Sequence, residues 1–377
     1  MIATLLLDAA LGFTPTPRPA SKVVRHARLP VWPAWQGLVL GVLGQVPGLR
    51  STCDKLEDAF GGRVCPMSFD AAECDPFVLL VHHRHAFRPL DFLRPIFSAV
   101  IMPEGFPAHP HRGFETVTYV LPGRAGLTHR DSEGCKMRYG DGAVQWMTAG
   151  KGMLHEEMWD VEAGNDHELY QLWVNLPPDS KLVPPRVQLV TPVDATGATE
   201  VQREGATPVR VTPIGDESLQ GGAVRVRTLA DASGDVGAET YSPMTLAHVE
   251  LRGAAAEYTL PLPDGWTTIV YVRRGEVDVG GERAAMYNTV YLERRGGNCL
   301  RVTNAHDGLS DVMVLAGAPI GAPVVASGTM VMNSDAQVQQ AMYDYQRGTF
   351  GVPWDHRVDD EEWAAACDAR QASGVVR

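Results

Sequence analysis

What most constrains this chain is a succession of short runs rich in branched and aromatic residues, each too brief for a helix and closed by a turn signal. FVLLV (77–81), FSAVIM (97–102), TVTYVL (116–121), AVQWMT (143–148) and YQLWVNL (170–176) form one set, with PGRAG (122–126) and GDG (140–142) as turns between them. A polar, proline-rich connector at 177–208 leads to a second set: VRVRTL (224–229), LAHVEL (246–251), TTIVYVRRGEVDVG (267–280), NTVYLE (288–293), CLRVTN (299–304) and DVMVLAG (311–317). Strands this short at such spacing predict antiparallel sandwiches or barrels, and 377 residues suit two of them. The expected order is an extension over 1–60, a first β domain over 66–180, a second over 205–351, and a tail over 352–377. Ser334 and Gln337 form a capping box for one helix that ends near Gly348, and the DDEEWAAACDAR run (359–370) predicts a short surface helix.

The charge and cysteine content exclude several function classes. The formal charge is −12, and the acid lies outside residues 1–53, where five basic residues face only Asp8. Such an acidic body does not bind a phosphate backbone directly. The six cysteines contain no C-x-x-C pair and are too sparse for a disulfide scaffold, which points to an intracellular, reducing setting in cytoplasm or nucleus. The longest nearly apolar run, 37–49, is interrupted by Gln45 and Pro47 and falls short of the roughly 20 residues a membrane span needs. The first fifty residues, rich in proline and poor in acid, suit either a plastid or mitochondrial transit peptide or a disordered extension.

The chemistry concentrates between Gly105 and Met158. His109 and His111 are two residues apart, so on an extended segment both face the same side, and Pro110 between them suits an edge strand or a bulge. His155 and Glu157 share parity, while Glu156 faces the other way. Adjacent strands would bring three imidazoles and one carboxylate together. That set suits a divalent first-row metal and leaves positions open for substrate and dioxygen. A further group, His82, His83 and His85, has no H-x-E partner and reads as a solvated loop.

GFPAHPHRGFETVTYVLPG (105–123) and GAVQWMTAGKGMLHEEM (142–158) closely resemble the pirin family of bicupins. LYQLWVNLP (169–177) and VVASGTMVMNSDAQVQQAMYDYQRGTFG (324–351) resemble its downstream signatures. The resemblance implies an all-β fold of two cupin-type β-barrels with a C-terminal helix. It also implies Fe(II), or another divalent first-row metal, held by His109, His111, His155 and Glu157 in the first barrel. The second barrel would be metal-free. A quercetinase-type dioxygenase follows, taking a flavonol-like substrate and O2, with Glu157 as the catalytic base. The competing implication is a non-catalytic iron redox sensor that acts through a protein partner in transcription. A monomer with no membrane contact is expected.

Glu115 follows His111 where many other cupins place a metal-binding glutamate, and is a candidate for orienting a ligand histidine. His129 reads as a polar pocket wall, and Gln145 as barrel core or substrate contact. Cys135, unusual in this motif, reads as an inert thiol, buried or merely exposed, with a redox-sensitive thiol near the barrel rim as the alternative.

Overall fold

The computed structural model describes residues 14–30, 39–40, 42–49, 51–53, 55–56, 62–86, 104–164, 166–193 and 199–372. The expected strand at 97–102 lies outside these residues. The chain divides into two compact units, one comprising 1–26, 215–233 and 243–319, the other 27–214, 234–242 and 320–377. Among the described residues no helix is long and apolar enough to cross a membrane.

The unit centred on 215–319 has two antiparallel sheets. Its seven strands run in the order Ala20–Arg25, Asn288–Leu292, Thr267–Arg274, Leu309–Gly317, Met244–Arg252, Val224–Ala230 and Gly215–Leu219. Four more, Glu257–Pro261, Cys299–Asn304, Glu276–Val279 and Glu282–Ala285, form the facing sheet. Alternate side chains from both, among them Val249, Val270, Val314, Val277 and Val302, fill one apolar core. Of the expected extension, the described residues up to His26 belong here, whereas Leu29–Pro30 pairs with Gly62–Ser68 in the other unit. Ala20–Arg25 pairs with Asn288–Leu292, and the buried Arg18 guanidinium donates to the carbonyls of Gly297, Trp266, Leu262 and Pro263. Ala20–Arg25 is therefore a strand of this sheet, and Arg18 is anchored beside it.

The other unit is built the same way. Its five-stranded sheet runs Glu200–Arg203, Lys136–Tyr139, Leu127–Asp131, Met153–Trp159, Gly105–His111. Its larger sheet places Phe114–Val120 between Val144–Thr148 and Asp166–Asn175, with Phe77–Ala86 beyond. Leu127, Met137, Met153 and Trp159 from the first sheet meet Val120, Met147, Leu169 and Val187 from the second in a shared core. Gly105–His111 is an edge strand, the place where Pro110 removes no ladder hydrogen bond.

The helix Asp335–Gln346 belongs with this unit, although the sequence suggests a place in the second domain. Ser334 Oγ accepts from the Gln337 amide, while the Gln337 side chain reaches back to the Asn333 N–H, one residue earlier than a capping box requires. The chain returns through Met330–Met332, whose Val331 amide donates to the Arg112 carbonyl. Arg112 in turn donates to Asp344 at 2.7 Å and lies over the Phe350 ring. Buried Lys181 joins three segments, donating to the Gly113 carbonyl, the Asn175 side chain and the Val331 carbonyl. Burial pulls its pKa down to about 7. Gly113 is required at this junction: its φ is +82°, and a Cβ there would sit 2.2 Å from the Val331 oxygen. The predicted surface helix forms at Asp360–Ala372, with Trp363 and Cys367 buried beneath it.

Candidate metal centre

The edge strand Gly105–His111 pairs directly with Met153–Trp159, setting His109 opposite His155 and His111 opposite Met153. A bulge between His155 and Glu157 shifts the register by one residue, so that Glu157 lies opposite Phe106. Nitrogens of His109, His111 and His155 all lie within 4.8 Å of one another. The ring centroids are 4.5–4.8 Å apart. His109 Nδ1 bonds to the Pro107 carbonyl at 2.8 Å, which assigns the proton to Nδ1 and leaves Nε2 as a lone-pair donor. His155 is fully buried, and neither of its ring nitrogens has a hydrogen-bond partner among the described residues.

Burial holds His109 below the usual imidazole range and His111 and His155 well below it, and the neighbouring imidazoles add to the effect. The three rings are thus kept neutral, the form that binds metal. Polar nitrogens left unsatisfied in an apolar interior are costly unless something fills the gap between them. A first-row divalent cation fits this donor set, and no thiolate belongs to it.

Glu157 is buried on the same face but does not belong to the close imidazole group. Its Oε1 accepts from Thr118 and Tyr139 at 2.8 and 2.5 Å, and its Oε2 accepts from Gln171 at 2.9 Å. A carboxylate has about four acceptor positions, so one on Oε2 remains. Glu156 points to the opposite face and pairs with Arg130. Thr118, Tyr139 and Gln171 escaped the sequence reading, since nothing in a single sequence marks which core hydroxyls and amides share a carboxylate.

His129 is also fully buried, 5.5 Å from the His155 ring. Gln145 donates to its Nδ1 at 2.9 Å, and its Nε2 bonds to Asp131 at 3.0 Å. Asp131 is itself held by the amides of Glu133 and Cys135. The wall behind His155 is therefore a connected polar chain, and Gln145 is part of it. Cys135 is buried, and burial, reinforced by Asp131, pushes its thiol well up, away from the reactive thiolate.

Two readings from the sequence need correction. Glu115 cannot serve the imidazoles from behind. Thr118, whose hydroxyl reaches Glu157, faces inward, and Glu115 has the opposite parity on the same strand, where it accepts from Thr148 at 2.7 Å. His82, His83 and His85 form no solvated loop. All three are buried on Phe77–Ala86, with His82 bonded to Glu168 and His85 against Trp159.

Burial pushes Glu115 up to about 7, opposed by the Thr148 hydroxyl and the Arg186 charge. Because the folded pKa exceeds the unfolded one, the folded chain binds the extra proton between about 4.5 and 7. This stability is present below that window and is lost as pH rises through it. Glu115→Gln should therefore remove up to roughly 3 kcal/mol of the decline between pH 5 and pH 8. Denaturant midpoints at both pH values read this directly, and parallel pH profiles for parent and variant would contradict it.

In the other unit, ligand atoms of His248, Glu250 and Asp311 also converge within 4.8 Å. Arginines already occupy these carboxylates: Arg273 is 2.5 Å from Asp311, and Arg227 is 3.4 Å from Glu250.

Two units built on paired, mainly antiparallel sheets, one with an inward-facing three-imidazole centre, define a two-domain cupin protein. Residues 63–174 match the pirin family model, and residues 246–351 match the model of the pirin C-terminal cupin domain. The chain belongs to the pirin family. Pirin-1 of Arabidopsis thaliana is 33% identical over 74% of this chain and 84% of its own length. A Pseudomonas aeruginosa protein whose name assigns it provisionally to quercetin 2,3-dioxygenase is 35% identical over 72% of this chain and 88% of its own. The crystal structure of a quercetin 2,3-dioxygenase from Acinetobacter baumannii superposes with a TM-score of 0.66 at 28% identity, covering 89% of this chain and 99% of the other.

Proposed function

We propose that this protein is an iron-dependent dioxygenase of the quercetinase type, opening the ring of a flavonol-like substrate with O2. The observation that carries the reading is the buried group of three neutral imidazoles, with His155 left unsatisfied at both nitrogens. The names of the Pseudomonas and Acinetobacter relatives support the reaction class. His109, His111 and His155 would hold Fe(II), or another divalent first-row metal, with Glu157 beside them. Bound there, iron supplies a redox-active Lewis acid for reaction with dioxygen.

The protein's own contribution is placement and proton handling. Glu157, fixed by Thr118, Tyr139 and Gln171, would take the proton of the substrate's 3-hydroxyl on the acceptor position left on Oε2. Loss of that proton makes the flavonol electron-rich enough to react with dioxygen, leading to ring opening and release of carbon monoxide. An intracellular site, in cytoplasm or nucleus, accompanies this reading and is supported by six cysteines that are all free. Fe(II)-loaded protein mixed with quercetin in air should consume the flavonol absorbance, while His155→Ala should not. Equal rates for the two would sink the proposal.

One observation favours a second reading, the iron redox sensor that acts through a transcriptional protein partner. Arg112, next to His111, is tied by Asp344 to the helix Asp335–Gln346, so a change at the imidazoles has a short path to the surface. Partner binding that differs between Fe(II) and Fe(III) protein, with no dependence on quercetin, would select this version; equal binding by both states would remove it.

A further inference from the structure

Beyond residue 351, where the family match ends, the chain encloses a cavity that the imidazole centre does not use. Residues between Arg347 and Arg370, together with Ser132, line a cleft of about 720 Å³. Small-molecule sites commonly span about 300–1,000 Å³. The frame is anchored at several points. Arg130 donates to the carbonyls of His356 and Val358, and Arg203 pairs with Asp368. Arg370 donates to the carbonyls of Ser132, Phe350 and Thr349. Trp363 is buried, with the Arg130 and Arg203 guanidinium groups 5.5 and 5.7 Å from its ring centroid. The cleft is thus formed before any ligand arrives.

Its walls are flat and largely apolar. Trp354 and Trp363 lie 6.3 Å apart between ring centroids, with Val358 and Ala366 also lining the space. Two guanidinium groups, Arg347 and Arg370, and two carboxylates, Asp355 and Glu362, line the cleft, and they differ in availability. Asp355 is taken up by Arg357, which holds it through Nε and a terminal nitrogen at 2.9 and 2.7 Å. Arg347 uses one N–H on the Tyr343 hydroxyl and has no carboxylate within ion-pair distance among the described residues. Its remaining donors can take a carboxylate in the two-pronged geometry that guanidinium favours. The half-buried Trp354 indole, in the same cleft as the Arg347 guanidinium, matches one ligand chemistry: a planar aromatic body bearing an anionic oxygen pair.

We propose that this cleft is a binding site for a small aromatic carboxylate, separate from the imidazole centre. The test titrates naphthalene-2-carboxylate, and its neutral amide, into the full-length protein while tryptophan fluorescence is followed, with and without bound metal. The acid should bind saturably with a Kd on the order of 0.1 mM, and the amide at least about tenfold more weakly. Arg347→Met should erase that difference. Ala366→Trp and Ala369→Trp, each filling the cleft from an exposed position, should abolish binding without moving the thermal midpoint.

Absence of saturation overturns the proposal, and so does an unchanged Kd in both filled variants. Equal affinity for acid and amide overturns the ligand class. An affinity that changes when metal is removed places the probe at the imidazoles and overturns the separate site.

Discussion

Replacing His155 by leucine is expected to abolish tight metal binding while leaving the metal-free protein as stable as the parent, or more stable by up to about 2 kcal/mol. Loss of a direct ligand must exceed the 10–100-fold that outer partners of a ligand are typically worth, so metal affinity should fall by more than about 100-fold. The stability half of the prediction comes from the same two nitrogens. Both are buried without partners, and leucine fills a similar volume without that cost. A histidine kept for packing would behave in the opposite way, destabilising the fold when removed and leaving metal uptake intact.

The pH dependence follows with a definite sign. The folded imidazoles titrate below their unfolded value, so as pH falls below about 6.5 the unfolded chain gains protons that the folded chain refuses. The metal-free parent should lose stability over that range, and His155→Leu should lose less. Metal titration monitored by calorimetry, with urea unfolding of both metal-free proteins at pH 5.5 and 7.5, separates these outcomes.

The second large effect is expected at Lys181. Lys181→Met keeps the length of the side chain but removes the donors that satisfy the Gly113 carbonyl, the Asn175 side-chain oxygen and the Val331 carbonyl. Three buried acceptors lose their partner at once, a loss of about 3–5 kcal/mol. For a unit of this size the thermal midpoint should drop by roughly 10 °C. Because Gly113 follows His111 by two residues, metal affinity should weaken as well. A fall of less than about 1 kcal/mol, read by circular dichroism on heating, would show that water or a relaxed backbone replaces the amine.

The two cases differ in how much the sequence reveals. The histidine centre was legible because strand geometry forces the parity of His109 with His111 and of His155 with Glu157, and because Pro110 belongs at an edge. The strands were legible as well, from their turns and branched runs. What escaped has physical reasons. Phe114–Val120 is buried on both faces, so no hydropathy alternation tells which side Glu115 occupies. Ala20–Arg25 pairs with residues some 270 positions later, and no local pattern records that pairing. The histidines at 82–85 look polar enough for a loop, yet each has a bond or ring neighbour inside the fold. Lys181 looks like a surface lysine until its three acceptors, from three distant segments, are seen around it.

His109, His111 and His155 are proposed to hold one metal ion. X-ray absorption at the iron edge of the Fe(II)-loaded protein tests it most directly. About three imidazole nitrogens are expected at roughly 2.1 Å, a distance typical of imidazole–metal bonds, with no sulfur neighbour, and the imidazole scattering should be lost in His155→Leu. Sulfur at the iron, or an imidazole signal unchanged in that variant, would contradict it.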